Sequence, residues 1–129
     1  MRYLLSILLI TITANATTIN IIASNGCSFN SITYKSLKDL FMKKTKYYKY
    51  NYIEVLDNTN LYKRFIVKYL KKSPTKMHIY WTRMIFTGTK KPPKKVPDEK
   101  LIQVDTTGCK VSYTSFNYIE GWKVLNVTP

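Results

Sequence analysis

The stretch from Ser73 to Val96 constrains this chain most, because it carries a helix start, a helix face and a helix stop end to end. Ser73 can accept from the free amides of a first turn, and Pro74 at the first helical position gives up no needed donor. Met77, Tyr80, Trp81, Met84 and Ile85 then follow the i, i+3, i+4, i+7, i+8 spacing of one apolar helix face. Phe86-Thr87-Gly88 ends it, since glycine takes the left-handed backbone of a helix end without strain. The basic turn that follows, with Pro92-Pro93, cannot be helical. Trp81, Met84 and Phe86 are expected to pack in the core.

The elements around this stretch follow from simpler signals. Thr18 to Ser24 is short and β-branched and reads as a buried first strand, broken by Asn25-Gly26. Thr33 is an expected N-cap for a helix whose apolar face is Tyr34, Leu37, Leu40 and Phe41, with Lys43-Lys44 at its negative end. Lys46 to Tyr50 reads as a tyrosine-rich connection, and Tyr52 to Leu56 as a second strand. The capping cluster Asp57-Asn58-Thr59-Asn60 precedes a second helix with Tyr62, Phe65, Ile66, Tyr69 and Leu70 on one face. Asp98 and Glu99 suit the positive end of a short fourth helix over 100–105. Cys109 to Thr114 and Trp122 to Val127 read as the last two strands. Strands separated by helical crossovers predict an α/β domain of about four mixed strands flanked by helices.

The N-terminus has the order of a secretory signal: Arg2, the apolar run Tyr3 to Ile12, then Ala14-Asn15-Ala16 as a cleavage site. The run is shorter than the about 20 residues a spanning helix needs. The expected organisation is therefore a signal peptide over 1–16 and one domain over 17–129, placed in the periplasm or otherwise outside the cytoplasm after cleavage near Ala16. Cys27 and Cys109 either pair as a disulfide, as export permits, or stay as two buried thiols.

The formal charge of +14 favours anionic partners, although lysines spread along every segment also suit a solvated coat. Export argues against a nucleic-acid partner. His78 is the only histidine, and the seven acids are scattered. No triad, paired-carboxylate, zinc-ligand, Walker or dinucleotide pattern emerges, so no enzyme activity, metal or cofactor is expected.

Several landmarks together carry a resemblance. They are Ser36-Leu37-Lys38-Asp39-Leu40-Phe41, then Phe65, then a signature of Trp81, Phe86, Gly88, Pro92, Pro93 and Val96, and last Thr106, Gly108 and Tyr113. Over nearly all of 17–129 the chain resembles short exported bacterial proteins related to phosphate-type periplasmic substrate-binding proteins, the solute receptors of phosphate ABC transporters. The resemblance implies a single lobe of the type II periplasmic-binding-protein fold and a solute-binding role, with phosphate or another small oxyanion as ligand. It departs from the two-lobed members in length, and Asn58-Thr59-Asn60 stands where they carry Ser-Gly-Thr at a helix start. The alternative it allows is an accessory or interaction domain of the same fold, with an envelope or membrane protein such as a sensor or transporter as partner.

Three ligand candidates follow from the residues. Asn58, Thr59 and Asn60 with Lys63 and Arg64 offer a helix start and positive charge to an oxyanion, against ordinary capping as the simpler reading. Ser24 and Ser28 flank the loop after the first strand, where ligands of open α/β sheets gather. Lys90, Lys91, Lys94 and Lys95 make a stiff basic turn that suits an acidic partner or a lipid headgroup, or simply a solvated charge run.

Overall fold

Buried and exposed residues sort the strand Asn51–Asn58 (β4) into two faces, as side chains of a strand point alternately to either side of a sheet. Ile53 and Val55 enter one core, and Leu56 enters another on the opposite face. The structure is a computed structural model and describes residues 18–129; the signal-like segment 1–16 lies outside the described residues.

The strand order is β3(Tyr47–Tyr48)-β4-β6(Cys109–Thr114)-β1(Asn20–Ser24)-β7(Trp122–Val124), and β5(Lys94–Val96) also pairs with β4. β4 runs parallel to β5 and β6, whereas β1 runs antiparallel to β6 and β7. A second, two-stranded parallel sheet joins β2(Ser31–Thr33) to β8(Asn126–Thr128). The fold is thus mixed α/β with a mixed sheet.

The helices cover one face. α1(Tyr34–Phe41) is capped by Thr33, whose hydroxyl accepts from the Ser36 amide at 3.1 Å. α2(Tyr62–Phe65) continues as a π-helical turn over Ile66–Leu70, and α3(Pro74–Phe86) starts at the Ser73 cap with Pro74 in its first turn. Leu37, Leu40, Phe41, Phe65, Ile66, Leu70, Met77 and Trp81 pack against Ile53, Val55, Val111 and Tyr113 of the sheet. Phe65 stacks on Tyr113 with ring centroids 3.8 Å apart. The other face carries a smaller core of Ile22, Leu56, Val96, Leu101, Ile119 and Trp122, closed by a 3-10 helix over Asp98–Gln103 and by the loop before β7.

Four expectations need correction. The described residues contain eight strands, not about four. The connection at Lys46 to Tyr50 holds β3, and the basic turn ends in β5; both are too short for periodicity to show, and pairing with β4 creates them. The expected strand Trp122 to Val127 divides at Leu125, whose side chain drops into the larger core while the chain changes partner from β1 to β2. Phe86 is not core: it lies 90 % exposed, beyond the Met77–Trp81 stripe that faces the sheet.

Candidate functional site

The helix start at Asn58 is closed by its own chain. Asn58 is fully buried at the end of β4. Its Oδ1 accepts from the amides of Asn60 (3.0 Å) and Leu61 (3.2 Å), while its Nδ2 donates to Asp98 Oδ1 (2.8 Å) and to the Tyr113 carbonyl (2.9 Å). The Thr59 amide donates to the Val96 carbonyl at 3.0 Å. Asn60 Oδ1 accepts from the Asp98 amide at 2.9 Å. The amides of residues 59–61, which an oxyanion would need, are therefore already paired within the protein. Lys63 and Arg64 are solvent-exposed on α2.

Asp98 is the hub of this knot. Besides Asn58, its carboxylate accepts from Thr114 Oγ1 (2.6 Å), the Ser115 amide (3.3 Å) and the Ser115 hydroxyl. Buried carboxylates are costly unless so satisfied. The knot ties the ends of β4, β5 and β6 to the 3-10 helix.

Ser24 and Ser28 lie elsewhere. Because β1 runs against β6, the end of β1 meets the start of β6, at the opposite end of the sheet from Asn58. Ser24 Oγ donates to the Gly108 carbonyl at 2.9 Å and accepts from the Lys110 amide at 2.8 Å. Ser28 Oγ accepts from Asn51 Nδ2 at 2.8 Å. Cys27 and Cys109 form a disulfide beside them, with Cα atoms 4.6 Å apart. The rule that ligands gather beyond strand ends presumes parallel strands, and the reversed β1 separates the two groups of candidates.

On the helix-covered face, next to Asn58 in sequence, Asp57 is buried with its Oδ1 2.9 Å from the Tyr113 hydroxyl. Burial pushes its carboxyl up to about 7, against the lowering effects of the Tyr113 hydrogen bond and of Lys95 and Lys43. Burial and the neighbouring Asp57 raise Tyr62 as well, and Lys95 Nζ lies 4.1 Å from the centre of the Tyr62 ring.

The basic turn divides its four lysines between two concavities. Lys94 and Lys95 line a groove of about 440 Å³ with Lys100 of the 3-10 helix and Lys110 of β6, floored by Leu56, Val96, Pro97 and Val104. Its acids are Glu54 and Asp105; Lys110 Nζ lies 3.9 Å from Glu54 and donates to the Asp105 carbonyl. Lys90 and Lys91 instead line a cleft of about 420 Å³ with Lys43 and Lys46. Sequence reasoning missed Lys100 and Lys110 because nothing local joins them to Lys94; the parallel pairing of β4 with both β5 and β6 does. It placed Asp98 only as a helix-end charge, since the partners Asn58 and Thr114 lie 40 and 16 residues away.

Among the described residues, no group of three histidine, cysteine, aspartate or glutamate side chains is placed to hold a metal ion. No protein-family model matches the chain, and no curated protein matches it.

Proposed function

We propose that the chain is an exported, non-enzymatic binding module of the phosphate-binding-protein-like class, acting in the periplasm or an equivalent extracytoplasmic space. It takes a small oxyanion, phosphate first, or a phosphate- or carboxylate-bearing solute, in the groove of Lys94, Lys95, Lys100 and Lys110. The observation that carries this reading is a groove lined by lysines from three elements, Lys94, Lys100 and Lys110, with Lys95 lining its edge while its ammonium lies over Tyr62, against two carboxylates. Like charges held together repel, and an anion relieves that repulsion. The apolar floor of Leu56, Val96, Pro97 and Val104 also suits an anion that carries a carbon skeleton. The Cys27–Cys109 bond suits an oxidising compartment.

Calorimetry against phosphate, sulfate, and mono- and dicarboxylates at low salt tests the reading. Binding that weakens in Lys94→Glu and Lys100→Glu, and survives Lys63→Glu on α2, supports it. No heat and no thermal shift with any of these anions at millimolar concentration overturns it.

A second reading is favoured by the closed helix start: an accessory or interaction domain of the same fold, docking an acidic envelope or membrane protein. Because residues 59–61 have no free amides, a cradle of the phosphate-receptor kind has nowhere to form there without breaking the Asn58 knot. Pull-down of one envelope protein, lost on charge reversal of the same groove, distinguishes it from solute binding.

A further inference from the structure

The end of α3 carries a second basic surface, built differently from the groove above. Lys90 and Lys91 line, with Lys43 and Lys46, a cleft of about 420 Å³, and no carboxylate among the described residues lines it. Lys43 feels the buried Asp57 carboxyl, which is only partly charged near neutrality. Beside the cleft, Ile85 is 56 % exposed and Phe86 90 % exposed. Two turns before Phe86, Ile79 is 51 % exposed. Ile79, Arg83 and Phe86 recur at i, i+4 and i+7, so they share one face of α3, away from the stripe that Met77 and Trp81 bury.

This tip is held in place rather than loose. The Tyr80 hydroxyl donates to the Met42 carbonyl at 2.7 Å and fixes α3 to the end of α1, next to Lys43. Thr87 Oγ1 donates to the Arg83 carbonyl and Thr89 Oγ1 to the Met84 carbonyl, at 3.1 and 3.3 Å. Gly88, with φ of +70°, turns the chain so that Lys90 and Lys91 face back toward Lys43 and Lys46.

A phenylalanine almost wholly in water, beside a cleft of four lysines, matches the two attractions of an interfacial membrane contact. Lysines near an anionic surface each add to binding, and an aromatic or aliphatic side chain adds by entering the headgroup boundary. We propose that this tip docks the protein on the surface of an anionic phospholipid bilayer, with lipid phosphates in the lysine cleft and Phe86 inserted at the headgroup level. Charge complementarity and the exposed Phe86 together select the occupant: an acidic protein would satisfy the lysines, but a solvated acidic surface gives Phe86 nothing apolar to enter. The contact is independent of the solute groove, which lies on Lys94, Lys95, Lys100 and Lys110.

Co-sedimentation of the purified protein with phosphatidylcholine vesicles, with and without phosphatidylglycerol, tests this. Binding is expected to the anionic vesicles and to fall by about tenfold or more in the Lys90→Glu/Lys91→Glu variant. Phe86→Ser, at an exposed position that leaves the fold intact by circular dichroism, is expected to weaken it several-fold, about equally at low and high salt. Lys63→Glu/Lys68→Glu, the same charge change on α2 and its π-helical continuation, is expected to have a much smaller effect. Equal losses in the two charge-reversed pairs, indifference to Phe86→Ser, or equal binding to neutral vesicles would each overturn the proposal.

Discussion

The Tyr113 hydroxyl donates to Asp57 Oδ1 across 2.9 Å inside the larger core, while the Tyr113 ring lies flat on Phe65, with 8° between the planes. The stack fixes the ring, so the hydroxyl has one place to donate. Burial disfavours the phenolate, and the Asp57 charge disfavours it further, so Tyr113 stays a donor. The carboxylate that receives it is the strained partner.

That strain makes stability depend on pH. The Asp57 carboxyl moves from 3.8 up to about 7 on folding, so between those values the folded state holds a proton that the unfolded state has released. Stability from this group is fully present below about 4 and is lost as pH rises through about 7. The loss is on the order of a few kcal/mol. Asp57→Asn keeps an acceptor for Tyr113 without the charge. Urea denaturation at pH 5 and pH 8 should show the wild type losing more stability than this variant over the interval. Parallel curves would mean that Asp57 ionises freely in the folded protein.

Tyr113→Phe removes the hydroxyl and keeps the stack on Phe65. It leaves the buried carboxyl without its hydrogen-bond donor, at a cost of about 1–3 kcal/mol. The cost should be greater at pH 8 than at pH 5, because the hydroxyl favours the charged form. A cost that is the same at both values would assign Tyr113 to packing alone.

Asn58→Ala should be among the most damaging single changes at the sheet end. It leaves the Asn60 amide without its acceptor, takes one of the two acceptors of the Leu61 amide, and removes a donor from the buried Asp98. The expected loss is about 3 kcal/mol or more, read from the denaturation midpoint. Asn58→Asp should be worse, because it sets a second carboxylate against Asp98 and removes both donated bonds. If Asn58→Ala instead left stability unchanged and abolished phosphate binding, the helix start would be a ligand site after all.

The long elements were legible and the short ones were not, for a physical reason. α1 and α3 announce themselves by a cap and an apolar face, Thr33 with Leu37 and Leu40, Ser73 with Met77 and Trp81. The β3–β4 hairpin turns through Lys49 and Tyr50 at φ of 44° and 66°, without the glycine or asparagine that would mark such a turn. Its support comes from Asn51 Nδ2, which donates to the Tyr48 and Lys49 carbonyls. Asn58 was legible as a polar residue before a helix, which capping and anion binding use alike. Only Asp98 and Tyr113, distant in sequence, show that its side chain is spent internally. Phe86 was expected in the core as an apolar residue at the helix stop, but nine residues after Met77 it falls on the opposite face of α3, away from the sheet.

Reduction should weaken the protein strongly. The bond between Cys27 and Cys109 spans 82 residues and joins the loop after β1 to the start of β6. A loop of that size is worth roughly 4 kcal/mol in the chain-entropy account, and about 2–4 kcal/mol is the usual observed range. Denaturation with and without reductant should differ by that amount, and Cys27→Ala/Cys109→Ala should behave like the reduced protein. Equal midpoints would show that the cysteines are not bonded in the purified protein.

The same corner gives a steric prediction with its own control. Gly26 has no room for a methyl group, because a Cβ would fall inside contact distance of the Gly108 carbonyl oxygen. That oxygen also accepts from Ser24 Oγ, so neither backbone can retreat without loosening the Ser24 bonds next to the disulfide. Gly26→Ala should therefore cost about 1–3 kcal/mol through overpacking. Gly88→Ala meets nothing within 4 Å and pays only for its φ of +70°, about 1 kcal/mol. Thermal melts of the two variants separate the effects: Gly26→Ala should melt lower than Gly88→Ala, and should become easier to reduce. A Gly26→Ala variant that melts with the wild type would show that the loop after β1 does not approach Gly108 this closely in solution.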